Sequence, residues 1–331
     1  MAKTKTFQAS AAAPSVSPPQ ARRAPAPLLQ RLINEWDLQL MIIPSIIFLI
    51  IFNYIPMWGV LTAFQEYNIA KGFFGSPWVG FEHFTTFFRS HDFGLVMRNT
   101  IAISVLKILF GFPAPIILAL ILNEVRWSFF KRAVQTVSYL PHFLSWVIVS
   151  AFVFSMLSVD NGSLNILLKS LKLIDEPVNW LSTPEYFWAI LISTNIWKEV
   201  GFGAIIYLAA IAGVNPSLYE AAAIDGAGRF KQMIYITLPS IAPVIVIMLI
   251  LSISNILNAG FDDILLLTNR GTNGVLRDVS VVIDTYVYHV GLNNYRFSYA
   301  TAVGLFKAVV SVVLLVAANR LAKRVSDTGL W

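Results

Sequence analysis

Four ionisable side chains fall inside long apolar segments of this sequence, where a charge is costly unless it faces a protein interior or water. They are Lys107, Lys198, Glu199 and Lys307, and their formal charges sum to +2. Adjacent positions on a helix point about 100° apart, so we expect Lys198 and Glu199 to have separate partners. The four residues predict a polar path through a membrane, and their sum suits an anionic solute better than a neutral one.

Two tryptophans in the same apolar segments, Trp146 and Trp197, could stack on the rings of a solute such as a sugar. Ordinary packing among helices is the competing interpretation for both residues. We include them as candidates for the same path.

Enzyme chemistry finds little support in this sequence. The four histidines have no metal-ligand spacing such as H-E-x-x-H, and no nucleophile stands beside a candidate base. Cysteine is absent, so neither a disulfide framework nor thiol chemistry is expected. A phosphate-binding loop needs a Gly-Lys dipeptide, which occurs nowhere in the chain. We therefore predict a protein that is not an enzyme and holds no metal or cofactor.

The composition indicates a bilayer as the solvent. Hydrophobic residues make up 56% of the 331 residues and charged residues only 13%, about half the charged share of a soluble domain. The apolar residues form six runs, each near the 20 or so residues needed to cross hydrocarbon. We predict an all-α bundle of six transmembrane helices at 38–64, 100–122, 139–158, 186–212, 238–260 and 299–321.

A seventh apolar stretch, at 279–290, is too short to span and carries Asp284, so we expect an interfacial or external helix. Residues 1–34 are rich in Ala, Pro, Gln and Ser, which predicts a disordered tail ahead of a membrane domain at 35–331. The first apolar run is far longer than the core of a signal peptide, so it should remain as an anchor.

Basic residues flank the apolar runs and do not form the stripe expected of a nucleic-acid-binding surface. With both termini in the cytoplasm, the inner segments carry 13 basic and six acidic residues, and the outer segments carry eight and 11. Cytoplasmic loops of membrane proteins are enriched in Lys and Arg, so this orientation is favoured.

A polar, alanine-rich loop lies between the fourth and fifth runs, at about 213–237. Asn215 before Pro216 predicts a helix start, and Gly226 can end that helix in the left-handed conformation. A second helical piece should run from Arg229 to Pro239. Helix, glycine turn and helix, with alanines that allow close approach, suit docking better than catalysis.

The spacing of this loop resembles the EAA loop of permease subunits in bacterial ATP-binding-cassette importers. Its matching residues are Glu220, Ala221, Ala222, Gly226, Ile236, Leu238 and Pro239. The segments NYIPMWGVLTAFQEYN (53–68), WVGFEHF (78–84), YLPHFLSW (139–146) and VIDTYVYHVGL (282–292) are similar to the branch that imports oligosaccharides and polysaccharide fragments. The fold implied is that of a type I importer permease.

The resemblance implies a division of labour among several chains. An extracytoplasmic binding protein would deliver the oligosaccharide, a second and distinct permease would complete the path, and two cytoplasmic ATPase subunits would bind ATP and Mg²⁺. A homodimer of permeases is the alternative. The chain would lie in the bacterial plasma membrane, in contact with lipid.

The resemblance also implies roles within the loop. Glu220 would hold the loop's geometry or meet the ATPase, the two alanines would give close contact, and Asp225–Gly226 would form the turn. Ile236, Leu238 and Pro239 would seat the loop against the membrane helices. Arg229 and Lys231 would pair with the ATPase or form a solvated basic face.

Three functional alternatives remain open at this level. An importer permease for a non-sugar solute would share the loop and differ only in the weaker segment resemblances. A channel or a secondary transporter would need no ATPase, and nothing in it would call for such a loop.

The +2 sum of the membrane charges favours an acidic sugar, such as a uronate oligosaccharide of the alginate type.

Overall fold

The computed structural model describes residues 36–326 and Gly329, so the predicted tail at 1–34 lies outside the described residues. Within this part of the chain there is no β-strand, and the one extended pairing is an isolated bridge between Gln65 and Trp78. The all-α prediction is confirmed. The described residues divide after Trp58 into two compact units.

The first unit contains α1 (Trp36–Leu49), a π turn (Ile50–Tyr54) and the beginning of a 3₁₀ helix (Ile55–Phe64). The second unit begins with α2 (Gly72–Gly75), α3 (Glu82–Arg89), α4 (Asp92–Leu106), a π turn (Lys107–Gly111), α5 (Pro113–Glu124), α6 (Ser128–Tyr139), a 3₁₀ turn (Leu140–Phe143), α7 (Trp146–Leu157) and α8 (Ser163–Ser170). It continues with α9 (Pro184–Ala212), α10 (Pro216–Ile224), α11 (Arg229–Gln232), a π turn (Met233–Thr237) and α12 (Leu238–Ser254). The last elements are α13 (Asp262–Leu267), a 3₁₀ turn (Gly274–Leu276), α14 (Arg277–Ser280), α15 (Ile283–Tyr288), a π turn (His289–Asn293) and α16 (Phe297–Ser326).

Five helical stretches of the described chain are long and apolar enough to cross a membrane, and a bent pair of helices makes a sixth. The five are Leu40–Phe64, Asp92–Glu124, Pro184–Ala212, Arg229–Ser254 and Phe297–Arg324. Each overlaps a predicted run, so the count of six holds when the bent pair is taken as one span.

The third predicted span, 139–158, is not the continuous helix that we expected. The segments Ser128–Phe143 and Trp146–Leu157 meet at 104°. Ser145 has extended backbone angles (φ −64°, ψ 151°), and its side chain caps α7 by accepting a hydrogen bond from the Ile148 N–H. Hydrophobicity alone concealed this break, because the residues on both sides of it are apolar.

Three π turns each end two residues before a proline, namely Pro56, Pro113 and Pro239. Proline cannot donate to the carbonyl four residues back, and its ring clashes with that carbonyl. A widened turn ahead of the proline lets the helix continue without that bond, and π turns are frequent at functional sites. One of these turns starts at Lys107, and another precedes α12.

Helix α9 packs in the middle of the second unit. Its first half contributes Phe187 and Leu191 to an apolar cluster with α7 and α13. Its second half contributes Ala204 and Tyr207 to a cluster with α5 and α12. Between them, a Cβ added at Gly201 would lie 2.0 Å from the carbonyl oxygen of Ser138. Only glycine therefore allows the end of α6 to lie against α9.

The seventh apolar stretch is broken rather than one external helix. Val282, between α14 and α15, has extended backbone angles and is fully buried, as is Ile283. Two buried side chains of α4 satisfy backbone groups at this break: Asn99 Nδ2 donates to the Val281 oxygen at 3.1 Å, and Thr100 Oγ1 accepts from the Ile283 N–H at 3.0 Å. The segment thus folds into the bundle.

The close approach at Gly201 generates a stability prediction. Gly201→Ala should lower the thermal midpoint of the purified protein by several degrees, because overpacking against backbone costs about 1–3 kcal/mol. Gly304→Ala is the matched control, since it lies in α16 and an added Cβ there meets nothing within 4 Å. It should leave the midpoint unchanged or raise it through better helix propensity. Equal midpoints for the two variants would contradict the packing argument.

Candidate functional site

The alanine-rich loop contains a capped helix followed by a glycine turn, as predicted. Asn215 caps α10, its side chain accepting from the Ser217 N–H at 3.1 Å. At the other end Gly226 has φ +76°, and the Ala227 N–H donates to the Ala222 oxygen at 2.8 Å. Together with the bond from the Gly226 N–H to the Ala223 oxygen, this is a Schellman motif.

Side chains that sequence reasoning missed hold the two arms of the loop together. The Tyr219 hydroxyl lies 2.9 Å from Oγ1 of Thr237, which is buried just before α12. Gln232 Nε2 donates to the Ala227 oxygen at 3.0 Å across the turn. Nothing in the EAA spacing singles out these residues. Arg229, for which we expected an ATPase contact or a solvated basic face, donates from Nη1 to the backbone oxygen of Glu124 at 3.2 Å and so has a partner within this chain.

The exposed surface of the loop contains both a charge and apolar side chains. Glu220 and Asp225 are exposed, and in the described part of the chain the Glu220 carboxylate has neither a hydrogen bond nor an ion pair. Ile224 is 87% exposed and Phe230 is 70% exposed, one on each side of Gly226. Exposed apolar side chains rimmed by polar residues are typical of interaction sites, so the pair favours a binding surface at this turn.

The predicted seating residues do not anchor the loop within this chain. Leu238 and Pro239 are exposed and Ile236 is half-buried. Thr237 and Ile241 are the buried residues at this point. The π turn Met233–Thr237 adds a residue to the helical turn, which changes the face that each following side chain occupies. Ala221 is exposed and Ala222 is half-buried.

A second candidate site is a cavity of about 340 Å³ between the π turn at Lys107, α9 and α12. Its polar lining consists of Ser104, Lys107, Asn195, Glu199, Tyr207, Ser252, Asn255 and Asn258. The asparagines, the serines and the tyrosine were missed, although Asn195 and Glu199 are four residues apart and Ser252, Asn255 and Asn258 three apart, at helix spacing. Amide, hydroxyl and charged groups converging on one cavity can bind a hydroxyl-rich solute.

Lys107 has an acidic partner from beyond the predicted span. Its Nζ donates to Asp263 Oδ2 at 2.5 Å and to the Ala259 oxygen at 2.7 Å. The Asp263 side chain is only 4% exposed and also accepts from the Ile264 N–H. An ammonium has three donors, so one donor of Lys107 is left for the cavity.

Lys198 and Glu199 contact each other, contrary to the expectation of separate partners. Lys198 Nζ lies 3.2 Å from Glu199 Oε1 and donates to the His142 oxygen at 2.7 Å. Glu199 Oε2 is 2.7 Å from His142 Nδ1. The Cβ atoms of Lys198 and Glu199 do point in different directions. Both side chains are nevertheless long enough to reach the turn at the bend, which contains His142.

Lys307 pairs with Asp284 of α15 and does not line the cavity that contains Lys107. The argument from a charge sum of +2 is therefore wrong. Asp263 and Asp284, which the sequence placed outside the spans, neutralise two of the lysines, and Glu199 pairs with the third.

The two candidate tryptophans do not line this cavity. The Trp146 ring lies 5.5 Å from Lys198 Nζ, which suits a cation–π contact. Trp197 stacks on Phe152 at 5.8 Å between ring centroids and lines a separate, apolar groove. Of the six predicted path residues, the structure brings Lys107 and Glu199 into one cavity, with Lys198 and Trp146 behind Glu199.

Comparison with known proteins places this chain among transport proteins. Residues 111–327 match the family described as binding-protein-dependent transport system inner membrane component. The polygalacturonan/rhamnogalacturonan transport system permease protein YteP of Bacillus subtilis (strain 168) is 48% identical over 92% of this chain and 93% of its own length. Protein LplB of the same organism is 46% identical over 90% of this chain and 92% of its own.

A solved structure agrees with these relatives. It is described as the crystal structure of a bacterial alginate ABC transporter in complex with an alginate pentasaccharide-bound periplasmic protein. One of its chains superposes with a TM-score of 0.82 and 42% identity, covering 92% of this chain and 99% of that chain. The helical bundle and the relatives lead to one conclusion: this chain belongs to the family of binding-protein-dependent transport system inner membrane components.

Proposed function

We propose that this chain is one of two permease subunits of an ATP-driven importer that carries acidic oligosaccharides into the cytoplasm. The observation that carries the proposal is the loop Asn215–Pro239, a capped helix and glycine turn with exposed Ile224 and Phe230. The loop offers an apolar tip and an unpaired carboxylate at Glu220, a surface suited to a cleft in another protein.

The partners follow from this assignment. A separate ATPase subunit, present in two copies, would hold ATP and Mg²⁺ and receive the loop. A second permease of similar fold would close the path, and an extracytoplasmic binding protein would deliver the sugar. Both termini would lie in the cytoplasm, as the distribution of basic residues favours.

The cavity at Lys107 is our candidate for the sugar path through this subunit. It joins three amide or hydroxyl side chains at and just beyond the end of α12 to two charged residues, and sugar hydroxyls both donate and accept hydrogen bonds. Lys107 presents one free donor beside Asp263, so a sugar carboxylate can approach this cation although the pair is neutral overall.

An acidic substrate is supported by the relatives rather than by net charge. YteP is named for polygalacturonan and rhamnogalacturonan, and a second solved neighbour, at 43% identity, is described as importing the acidic polysaccharide alginate. The three lysines of the predicted path, Lys107, Lys198 and Lys307, are all paired. We infer that Lys107 recognises the substrate locally, as one hydrogen-bonding cation.

The glycine turn supplies the first test of coupling. Gly226→Val should strongly reduce substrate-stimulated ATP hydrolysis by the whole transporter in liposomes, because a β-branched residue fits poorly at φ +76°. Gly228→Val is the matched control: its φ is −68°, and an added Cβ meets nothing within 4 Å at either glycine. If both variants couple as well as the unmodified protein, the loop is not the coupling element.

Glu220 supplies a second test of coupling. Glu220→Ala should lower stimulated ATP hydrolysis and leave the thermal midpoint of the subunit unchanged, because the carboxylate has no partner among the described residues. A fall in the midpoint would instead assign Glu220 to the geometry of the loop.

The third test concerns the substrate. Lys107→Gln leaves the Asp263 carboxylate without its cation beside the cavity, so uptake of an acidic oligosaccharide should fall about tenfold relative to a neutral one. Lys307→Gln removes the cation of the other pair, away from this cavity, and should leave that ratio unchanged. Because the readout is the ratio of acidic to neutral uptake, differences between variants in the amount of folded protein cancel. An unchanged ratio in Lys107→Gln would exclude this cation from substrate recognition.

A further inference from the structure

The backbone of the turn after α13 is strained, and the residue types in the turn do not by themselves require that conformation. Asn269, Arg270 and Gly271 follow one another with φ of +51°, +58° and +76°. Residues with a Cβ adopt the left-handed region rarely and then singly, and arginine has no local hydrogen bond that favours it. We call the segment Asn269–Thr272 the strained turn.

The surrounding structure holds the strained turn in place. Buried Thr268 accepts from the Gly271 N–H at 3.2 Å through its hydroxyl, and the Arg270 N–H donates to the Leu265 oxygen at 2.6 Å. Beneath the turn, a Cβ at position 271 would lie 2.4 Å from Nε2 of His289. Burial lowers the pKa of His289, which favours a neutral ring there. Such over-determined strain is typical of functional contacts.

The strained turn is also an exposed and polar surface. Asn269, Arg270 and Thr272 are exposed, and Arg270 has no ion pair within the residues that the structure describes. An open cleft of about 560 Å³ lies beside it, lined by Ser182, Asn269, Thr272, Asn273 and apolar neighbours. A cation on a constrained backbone, next to hydrogen-bonding groups, fits an acidic protein surface.

The position of the strained turn indicates which partner can reach it. The loop Asn215–Pro239 precedes α12, and the strained turn follows the other end of that helix. If the loop meets a cytoplasmic ATPase, as proposed above, the strained turn faces the opposite side of the membrane. The family depends on a binding protein, and the solved relative was crystallised with its periplasmic protein.

From these observations we propose that the strained turn is a rigid docking contact for the sugar-loaded binding protein, with Arg270 pairing with a carboxylate on that protein. This inference rests on the proposed function. Because the backbone of the turn is held in its strained form before docking, only the Arg270 side chain has to be ordered when the partner arrives.

The test is a titration of the binding protein against the complete transporter in lipid nanodiscs, with ATP hydrolysis as the readout. Arg270→Gly keeps the left-handed backbone and removes the side chain. We expect the concentration of binding protein for half-maximal stimulation to rise about fivefold, the effect of losing one exposed ion pair. Its salt dependence should weaken, and hydrolysis without binding protein should not change.

Lys172→Gly is the matched control, because Lys172 is another exposed cation with a left-handed backbone (φ +56°). It removes the same charge and relieves the same strain, so the half-maximal concentration should not change. Equal shifts in both variants would indicate a general charge effect and overturn the proposal.

Three further outcomes are informative. If Arg270→Gly lowers sugar uptake at saturating binding protein without changing the half-maximal concentration, the strained turn contacts sugar and the proposal is wrong. If the unmodified transporter is not stimulated by its binding protein, the proposed function fails and this inference fails with it. Normal stimulation of the unmodified transporter with an unaffected Arg270→Gly variant overturns this inference alone.

Discussion

The contact between the Ser138 carbonyl and Gly201 is the constraint on which much of the second unit depends. It lets the end of α6 lie directly on α9, so the chain reaches its bend beside the middle of that helix. His142 then stands where Lys198 can donate to its carbonyl and Glu199 can meet its ring. A larger residue at position 201 would separate these groups, although it makes no contact with any of them.

Charges within the membrane segments follow a second physical rule. Hydrocarbon offers no water, so a buried ammonium must be matched by acceptors from the protein. This chain supplies them from segments outside its long helices: Asp263 in α13, Asp284 in α15 and the backbone carbonyl of His142. The same contacts that neutralise the lysines tie these short segments to the π turn after α4, to α9 and to α16.

Sequence reasoning succeeded where a pattern had a local cause. Asn215 before Pro216 and a glycine at 226 determine how a helix starts and ends, and both ends were predicted correctly. It failed where distant residues decide the outcome. The break at Ser145 is hidden by apolar neighbours, and the pairing of Lys107 with Asp263 joins residues more than 150 positions apart. The sequence offered one weak signal for the cavity residues Asn195 and Asn255, namely that each is separated from another polar residue by a helical spacing.

The bend after the 3₁₀ turn also determines which surroundings this chain needs in a membrane. Helix α7 has 12 residues, so it extends only about 18 Å of the 30 Å or so of hydrocarbon. The non-helical backbone at Leu144 and Ser145 therefore reaches a depth at which irregular chain is stable only beside protein or water. Helix α9 supplies such a protein neighbour, because Leu144 packs against the cluster that contains Phe187 and Leu191. The bend and α9 must therefore come together within the membrane before either is stable there.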